Sequence, residues 1–103
     1  MNKLTTIIGR PVMIRTYSAG VHYGILEEVN SASDGFDVFL SNSRRIYEWT
    51  GAFTLSELAT KGSTEKKSKI SVTIPGIALR AIEIIPMTDA GFQNLNAISD
   101  HQV

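Results

Sequence analysis

Arg44-Arg45-Ile46-Tyr47-Glu48-Trp49 sets two guanidinium groups and two aromatic rings within six consecutive positions. In an extended backbone successive side chains point to opposite faces, so Arg45, Tyr47 and Trp49 share one face and Arg44, Ile46 and Glu48 the other. Guanidinium forks bind phosphate oxygens in bidentate fashion, and aromatic faces stack on nucleobases for about 1–3 kcal/mol per base. These residue types suit a nucleotide. A second polar cluster, Tyr17-Ser18-Ala19-Gly20 followed by His22-Tyr23, falls on a predicted hairpin and would add contacts from Tyr17, Ser18, His22 and Tyr23. The same stripe also reads as packing, with Tyr47 and Trp49 covering one end of the core and the arginines paired with Glu27, Glu28 or Glu48.

Other chemistry is thinly supplied. His22 is the one internal imidazole; Ser18 four positions earlier, with Asp34 or Asp37 to orient the ring, sketches a hydrolytic triad, but no nucleophile-elbow sequence accompanies it. His22 and His101 lack His-x-x-x-His spacing, and the carboxylates form no calcium-loop pattern, so neither a metal nor a cofactor is expected. The glycines are isolated, without a Walker or dinucleotide pattern. With no cysteine in the chain, disulfides, thiolate zinc sites and cysteine nucleophiles are excluded. A non-enzymatic protein is the expectation.

At 103 residues and 43% hydrophobic composition, the chain fits one domain over 1–103, with a core over about 9–90 and a tail over about 91–103. Ten Lys and Arg balance ten Asp and Glu, which removes the uniform positive field of a duplex DNA binder. Any anion site must be local. The N-terminus lacks a signal-peptide apolar core, and no run approaches the roughly 20 apolar residues of a membrane span, so a cytoplasmic protein without a membrane partner is expected.

The elements that must position these residues are mostly strands. Val12, Ile14 and Thr16 alternate with Met13, Arg15 and Tyr17; Ser18-Ala19-Gly20 supplies a turn; Val21 to Val29 resumes. Asn30 to Gly35 is a second turn cluster, Phe36 to Leu40 a third strand, and Arg44 to Trp49 a further one after the interruption Ser41-Asn42-Ser43. Thr54-Leu55-Ser56-Glu57 has capping-box spacing, and Gly62 is placed to end the short helix that follows. Strands over Ile70–Ile74 and Ile77–Ile85 flank Pro75-Gly76, read as a turn, and Thr88-Asp89 caps a brief helix bearing Phe92, Leu95 and Ile98. The fold class is mainly β with a short inserted helix, a small SH3- or Sm-like barrel or a strongly bent antiparallel sheet.

Gly9 to Arg15, Gly24 to Glu27 and Phe36 to Leu40 are similar in pattern to the first three strands of an Sm-like barrel, and Ala81 to Pro86 to its last. More specifically, Arg15-Thr16-Tyr17-Ser18-Ala19-Gly20-Val21-His22, Ser43 to Ala52, Leu55 to Ala59 and Ala81 to Pro86 resemble a family of short proteins of tailed bacteriophages and prophages without an established activity. That family commonly has Trp-Tyr-Trp after Arg-Arg-Ile; here Tyr47 comes first and Glu48 takes the middle position. The resemblance implies a small accessory protein made in the infected bacterial cytoplasm. By analogy of context and size, such a protein counters host defence as an oligomeric sponge for a cyclic nucleotide or cyclic ADP-ribose signal.

The resulting expectation is a homo-oligomeric binder of a small nucleotide ligand. Tyr47 or Trp49 stacks on the base, Arg44 or Arg45 neutralises phosphate, and Ser18, His22 and Tyr23 add polar contacts beside Tyr17. Two alternatives stand beside it: an interaction module that blocks a host defence protein through Tyr47, Trp49 and Phe53, and an Sm-like binder of single-stranded RNA.

Overall fold

The computed structural model describes residues 6–48, 54–63 and 69–100. Trp49, Phe53 and His101 lie outside them, and with them the expected roles of Trp49 and Phe53. Among the described residues the apolar alternation becomes five strands and two helices: β1 (Pro11–Thr16), β2 (Val21–Ala32), β3 (Gly35–Glu48), α1 (Leu55–Lys61), β4 (Lys69–Ile70), β5 (Ile74–Pro86) and α2 (Asp89–Asn96). All pairings are antiparallel. β1 pairs with β2 and β5, β2 with β3, and β3 with β5, so the ladder runs round a closed circuit, with β4 added to the far end of β3. The protein is a small, mainly β barrel, and closure removes most of its exposed strand edges.

Period-two alternation divides the core in two. Val12, Ile14, Leu26, Val38, Leu40 and Ala81 fill the barrel interior. Met13, Tyr23, Ile46 and Ile70 face outward instead, and are covered by Leu58 and Ala59 of α1 and by Leu95 and Ile98 at the C-terminal end. β1 is therefore buried on both faces, which is why Val12-Met13-Ile14 reads as an unbroken apolar run. Burial of Leu95 and Ile98 also carries the core past residue 90, into the segment read from sequence as a tail.

Where two strands were expected on either side of Ser41-Asn42-Ser43, β3 runs unbroken for 14 residues. Its register against β2 shifts between Tyr23↔Arg44 and Ile25↔Ser41, so Asn42 and Ser43 together oppose Gly24 in a β-bulge. Asn42 sits at φ 48°, a left-handed conformation that asparagine tolerates better than most residues. Gly24 is required opposite, because a Cβ there would lie 2.8 Å from the Ser41 carbonyl oxygen and 3.1 Å from Ser43 Cα.

The bulge also explains why Pro75-Gly76 is not the expected turn. Both residues lie inside β5, whose register with β3 includes Ser41↔Gly76 and Ser43↔Ile74 but skips the Asn42 position. Pro75, lacking a ladder donor, falls where the ladder is already broken. Both helices start as their capping residues require: Thr54 accepts from the Glu57 amide at 3.1 Å and Thr88 from the Gly91 amide at 3.0 Å. Gly62 ends α1 at φ 76°. Among the described residues, no helix is long and apolar enough to cross a membrane.

Candidate functional site

Adjacent in sequence, Arg44 and Arg45 leave β3 on opposite sides and meet different chemistry. Arg44 turns toward the helices, where it is only 3% exposed. Its Nε–H donates to the Ser71 carbonyl at 2.8 Å, Nη1 to the Leu95 carbonyl at 3.0 Å and the Tyr23 hydroxyl at 3.3 Å, and Nη2 to the Ile98 carbonyl at 2.9 Å and Asp100 Oδ1 at 3.1 Å. A cation placed on the Leu95 carbonyl in the last turn of α2, and on that of Ile98 just beyond it, complements the negative end of the helix dipole. Arg44 is thus committed to holding the C-terminal segment on the barrel. Tyr23, fully buried beside it, donates its hydroxyl to Asn96 Oδ1 at 2.8 Å, and burial raises its pKa above the ordinary tyrosine value against the opposing effect of the Arg44 charge. Neither expected ligand contact, Arg44 to phosphate or Tyr23 to a polar group, is available from these positions.

Arg45 and Tyr47 face the other way, as the period-two reading expects. They line a recess of about 270 Å³ together with His22, Ser43, Ser71, Val72, Ile74 and Ile77. Ile77 packs against the barrel-interior cluster, which places the recess at a mouth of the barrel, a recurrent position for ligand sites. The Arg45 guanidinium carbon lies 5.0 Å from the centre of the Tyr47 ring, a cation–π contact that orients the fork, whose N–H groups make no hydrogen bond among the described residues. Gly20 makes room for it: a Cβ there would sit 3.0 Å from Arg45 Nη2, and φ of 85° independently favours glycine.

Charge and position together set Arg45 apart. Arg15 pairs with Glu83, Arg44 with Asp100, and Arg80 with both Asp34 and Asp37. Arg10 and Arg45 have no carboxylate partner among the described residues, and of these two only Arg45 lines the recess. Of the three glutamates suggested for it, Glu48 pairs with Lys69 at 2.9 Å, Glu27 accepts from the Ser41 hydroxyl at 2.6 Å, and Glu28 forms no ion pair among the described residues.

His22 pairs with Arg45 across the ladder and is 5% exposed. Its Nε2–H donates to the Ala19 carbonyl at 2.9 Å, since a carbonyl can only accept; the neutral ring then carries an acceptor at Nδ1. Burial lowers its pKa below the ordinary histidine value; the hydrogen bond to Ala19 opposes this and the Arg45 charge adds to it. The ring is tied to the turn backbone, an arrangement different from the Ser18–His22 pair that a nucleophilic site requires. Thr16 Oγ1 accepts from the Ala19 amide at 2.8 Å and donates to the Gly20 carbonyl at 2.7 Å, fixing that turn. Tyr17, 87% exposed, and Ser18, also exposed, stand on the turn outside the recess lining.

Of the expected site residues, then, His22, Arg45 and Tyr47 come together, Arg44 and Tyr23 are internal, and Tyr17 and Ser18 flank the mouth. Sequence reading missed Ser43 and the Ser71–Ile77 wall. Ser43 shares the period-two face of Arg45 and Tyr47, a signal that was legible. Ser71 is brought in only by tertiary structure: its hydroxyl accepts from the Arg45 amide at 2.8 Å and its own amide donates to the Arg45 carbonyl at 2.9 Å. Among the described residues, no group of three or more histidines and carboxylates is placed to hold a metal ion.

No curated protein and no solved structure matches the chain. A family described as "Domain of unknown function (DUF6948)" matches residues 9–95, a span that includes every residue lining the recess, and the chain belongs to that family.

Proposed function

We propose that the protein is a non-catalytic binding module whose barrel-mouth recess takes a small anionic ligand bearing a planar ring, a nucleotide. The observation that carries this reading is Arg45: a half-buried guanidinium, stacked on Tyr47 and without a carboxylate partner among the described residues. An anionic group would complete its hydrogen bonds, Tyr47 offers a stacking face, and the Ser71 and Ser43 hydroxyls and the His22 ring supply neutral polar atoms. The volume of about 270 Å³ lies just under the roughly 300–1,000 Å³ of most ligand pockets, so one nucleotide unit fits more readily than two. A second protomer would enclose a larger cyclic ligand, and we attach homo-oligomerisation to the proposal on that ground. The biological role we infer is sequestration of a nucleotide-type signal in an infected bacterial cell, the setting implied by the resemblance to phage proteins.

Calorimetry with nucleoside monophosphates, cyclic mono- and dinucleotides and cyclic ADP-ribose isomers tests the ligand class. Binding of one class, lost in Arg45→Ala, is expected; no binding across the panel removes the reading. A second reading, a module that docks on a host protein, is favoured by one observation: Tyr17, Tyr47 and Val72 are 87%, 60% and 57% exposed at the same end of the barrel. Co-purification of a host protein in equal amount, dependent on Tyr17 and Tyr47, would select it over the first.

A further inference from the structure

A second recess, of about 400 Å³, lies between α2 and the bulged stretch of β3, lined by Ile25, Asn42, Thr73, Phe92 and Asn96. Its volume falls within the usual range of ligand pockets, roughly 300–1,000 Å³. None of its lining side chains is charged. They divide into hydrogen-bonding groups, Asn42, Thr73 and Asn96, and apolar walls, Ile25 and Phe92.

Two of these residues are held in place from outside the recess. The Tyr23 hydroxyl accepts from Arg44, which has only donors, so its own proton must go to an acceptor; that acceptor is Asn96 Oδ1, at 2.8 Å. The carboxamide orientation is thereby fixed, and Nδ2 is the end left to donate. Tyr23 also meets Phe92 edge to face, with ring centres 6.0 Å apart at 86°, which sets the angle of the half-buried Phe92 ring. On the opposite wall the bulge holds Asn42 at φ 48°. Its exposed carboxamide makes no hydrogen bond among the described residues, and so offers one acceptor and two donors. Pre-set carboxamides beside an aromatic ring, in a lining without a charged side chain, match the edge and face of a nucleobase.

We propose that this recess binds an uncharged, planar, hydrogen-bonding ring, the nucleobase of a nucleoside, through Asn96 and Asn42 with Phe92 as the apolar wall. The site is separate from the Arg45 recess and does not depend on it, because nothing in it selects phosphate.

The test is titration of the four ribonucleosides, which carry no phosphate, into the full chain, read by calorimetry and by the side-chain amide resonances of Asn42 and Asn96. Wild type and Arg45→Ala should bind at least one nucleoside alike. Asn96→Asp keeps an acceptor for Tyr23 but replaces the Nδ2 donor with a negatively charged acceptor; Asn42→Gly keeps the left-handed backbone and removes only the carboxamide. Asn42→Gly should weaken binding by about fivefold to tenfold, the loss of one hydrogen bond, with a thermal midpoint close to wild type, and Asn96→Asp by at least as much. Should Asn96→Asp alter the fold, Asn42→Gly still decides. No nucleoside binding, binding unchanged in Asn42→Gly, or binding lost in Arg45→Ala would each overturn the assignment. The last would place the nucleosides in the Arg45 recess, whereas nucleotide binding abolished by Arg45→Ala with no nucleoside binding would leave that recess standing alone.

Discussion

Ser71 is clamped to Arg44 through its carbonyl, which accepts the Arg44 Nε–H at 2.8 Å, on the side of β3 that faces the helices. The same serine uses its amide and hydroxyl on the backbone of Arg45, so one residue of the recess wall is locked to both arginines. Through Arg44 that wall is joined to the carbonyls of Leu95 and Ile98. The end of α2 and the barrel mouth are thus held by a single buried cation.

Replacing Arg44 with Met should destabilise the protein by about 2–4 kcal/mol, chiefly from the Ser71 and Ile98 carbonyls losing the guanidinium donor. Asp100 is half exposed, so Asp100→Asn should cost no more than about 0.5 kcal/mol. Chemical denaturation measures both, and equal effects of the two changes would show that the ion pair, and not the carbonyl contacts, does the anchoring.

Gly24→Ala tests the bulge. The added Cβ meets backbone atoms of Ser41 and Ser43, which cannot swing aside as a flexible side chain would. A loss of about 1–3 kcal/mol is expected from such overpacking. Unchanged stability would mean that β3 crosses β2 differently from the register described.

His22 makes stability depend on pH. Its folded pKa lies below the unfolded value near 6.5, so the unfolded chain takes up protons first as pH falls. The contribution is complete above the unfolded value and is lost as pH drops through it toward the folded value, at no more than about 1.4 kcal/mol per pH unit. Thermal midpoints recorded from about pH 7.5 down to 5 should decline more steeply in wild type than in His22→Gln. Parallel curves would contradict this.

The strands, the helix caps at Thr54 and Thr88, and the separation of Arg44 from Arg45 were legible in the sequence, because period-two alternation and capping spacing are local signals. Pro75-Gly76 misled for a physical reason: a turn pair and a bulge-facing strand segment have the same composition, and only the position of Asn42 on another strand distinguishes them. Arg44 shows the same limit. Nothing in its neighbours along the chain announces that Leu95, Ile98 and Asp100 will surround it, so a buried tether and a phosphate ligand read alike. Ser71 enters the recess through β4 and β5 pairing on β3, a non-local event that no spacing records.

The Arg45 recess is tested most directly by following the arginine Nε–H resonances while a nucleoside monophosphate is titrated into ¹⁵N-labelled protein. Arg44 serves as an internal control, since its Nε–H is already bonded to Ser71. The expected result is a saturable shift of the Arg45 signal with the Arg44 signal unmoved. An Arg45 resonance that stays in place across the nucleotide panel, or one that moves equally with inorganic salt at the same ionic strength, would contradict a nucleotide site there.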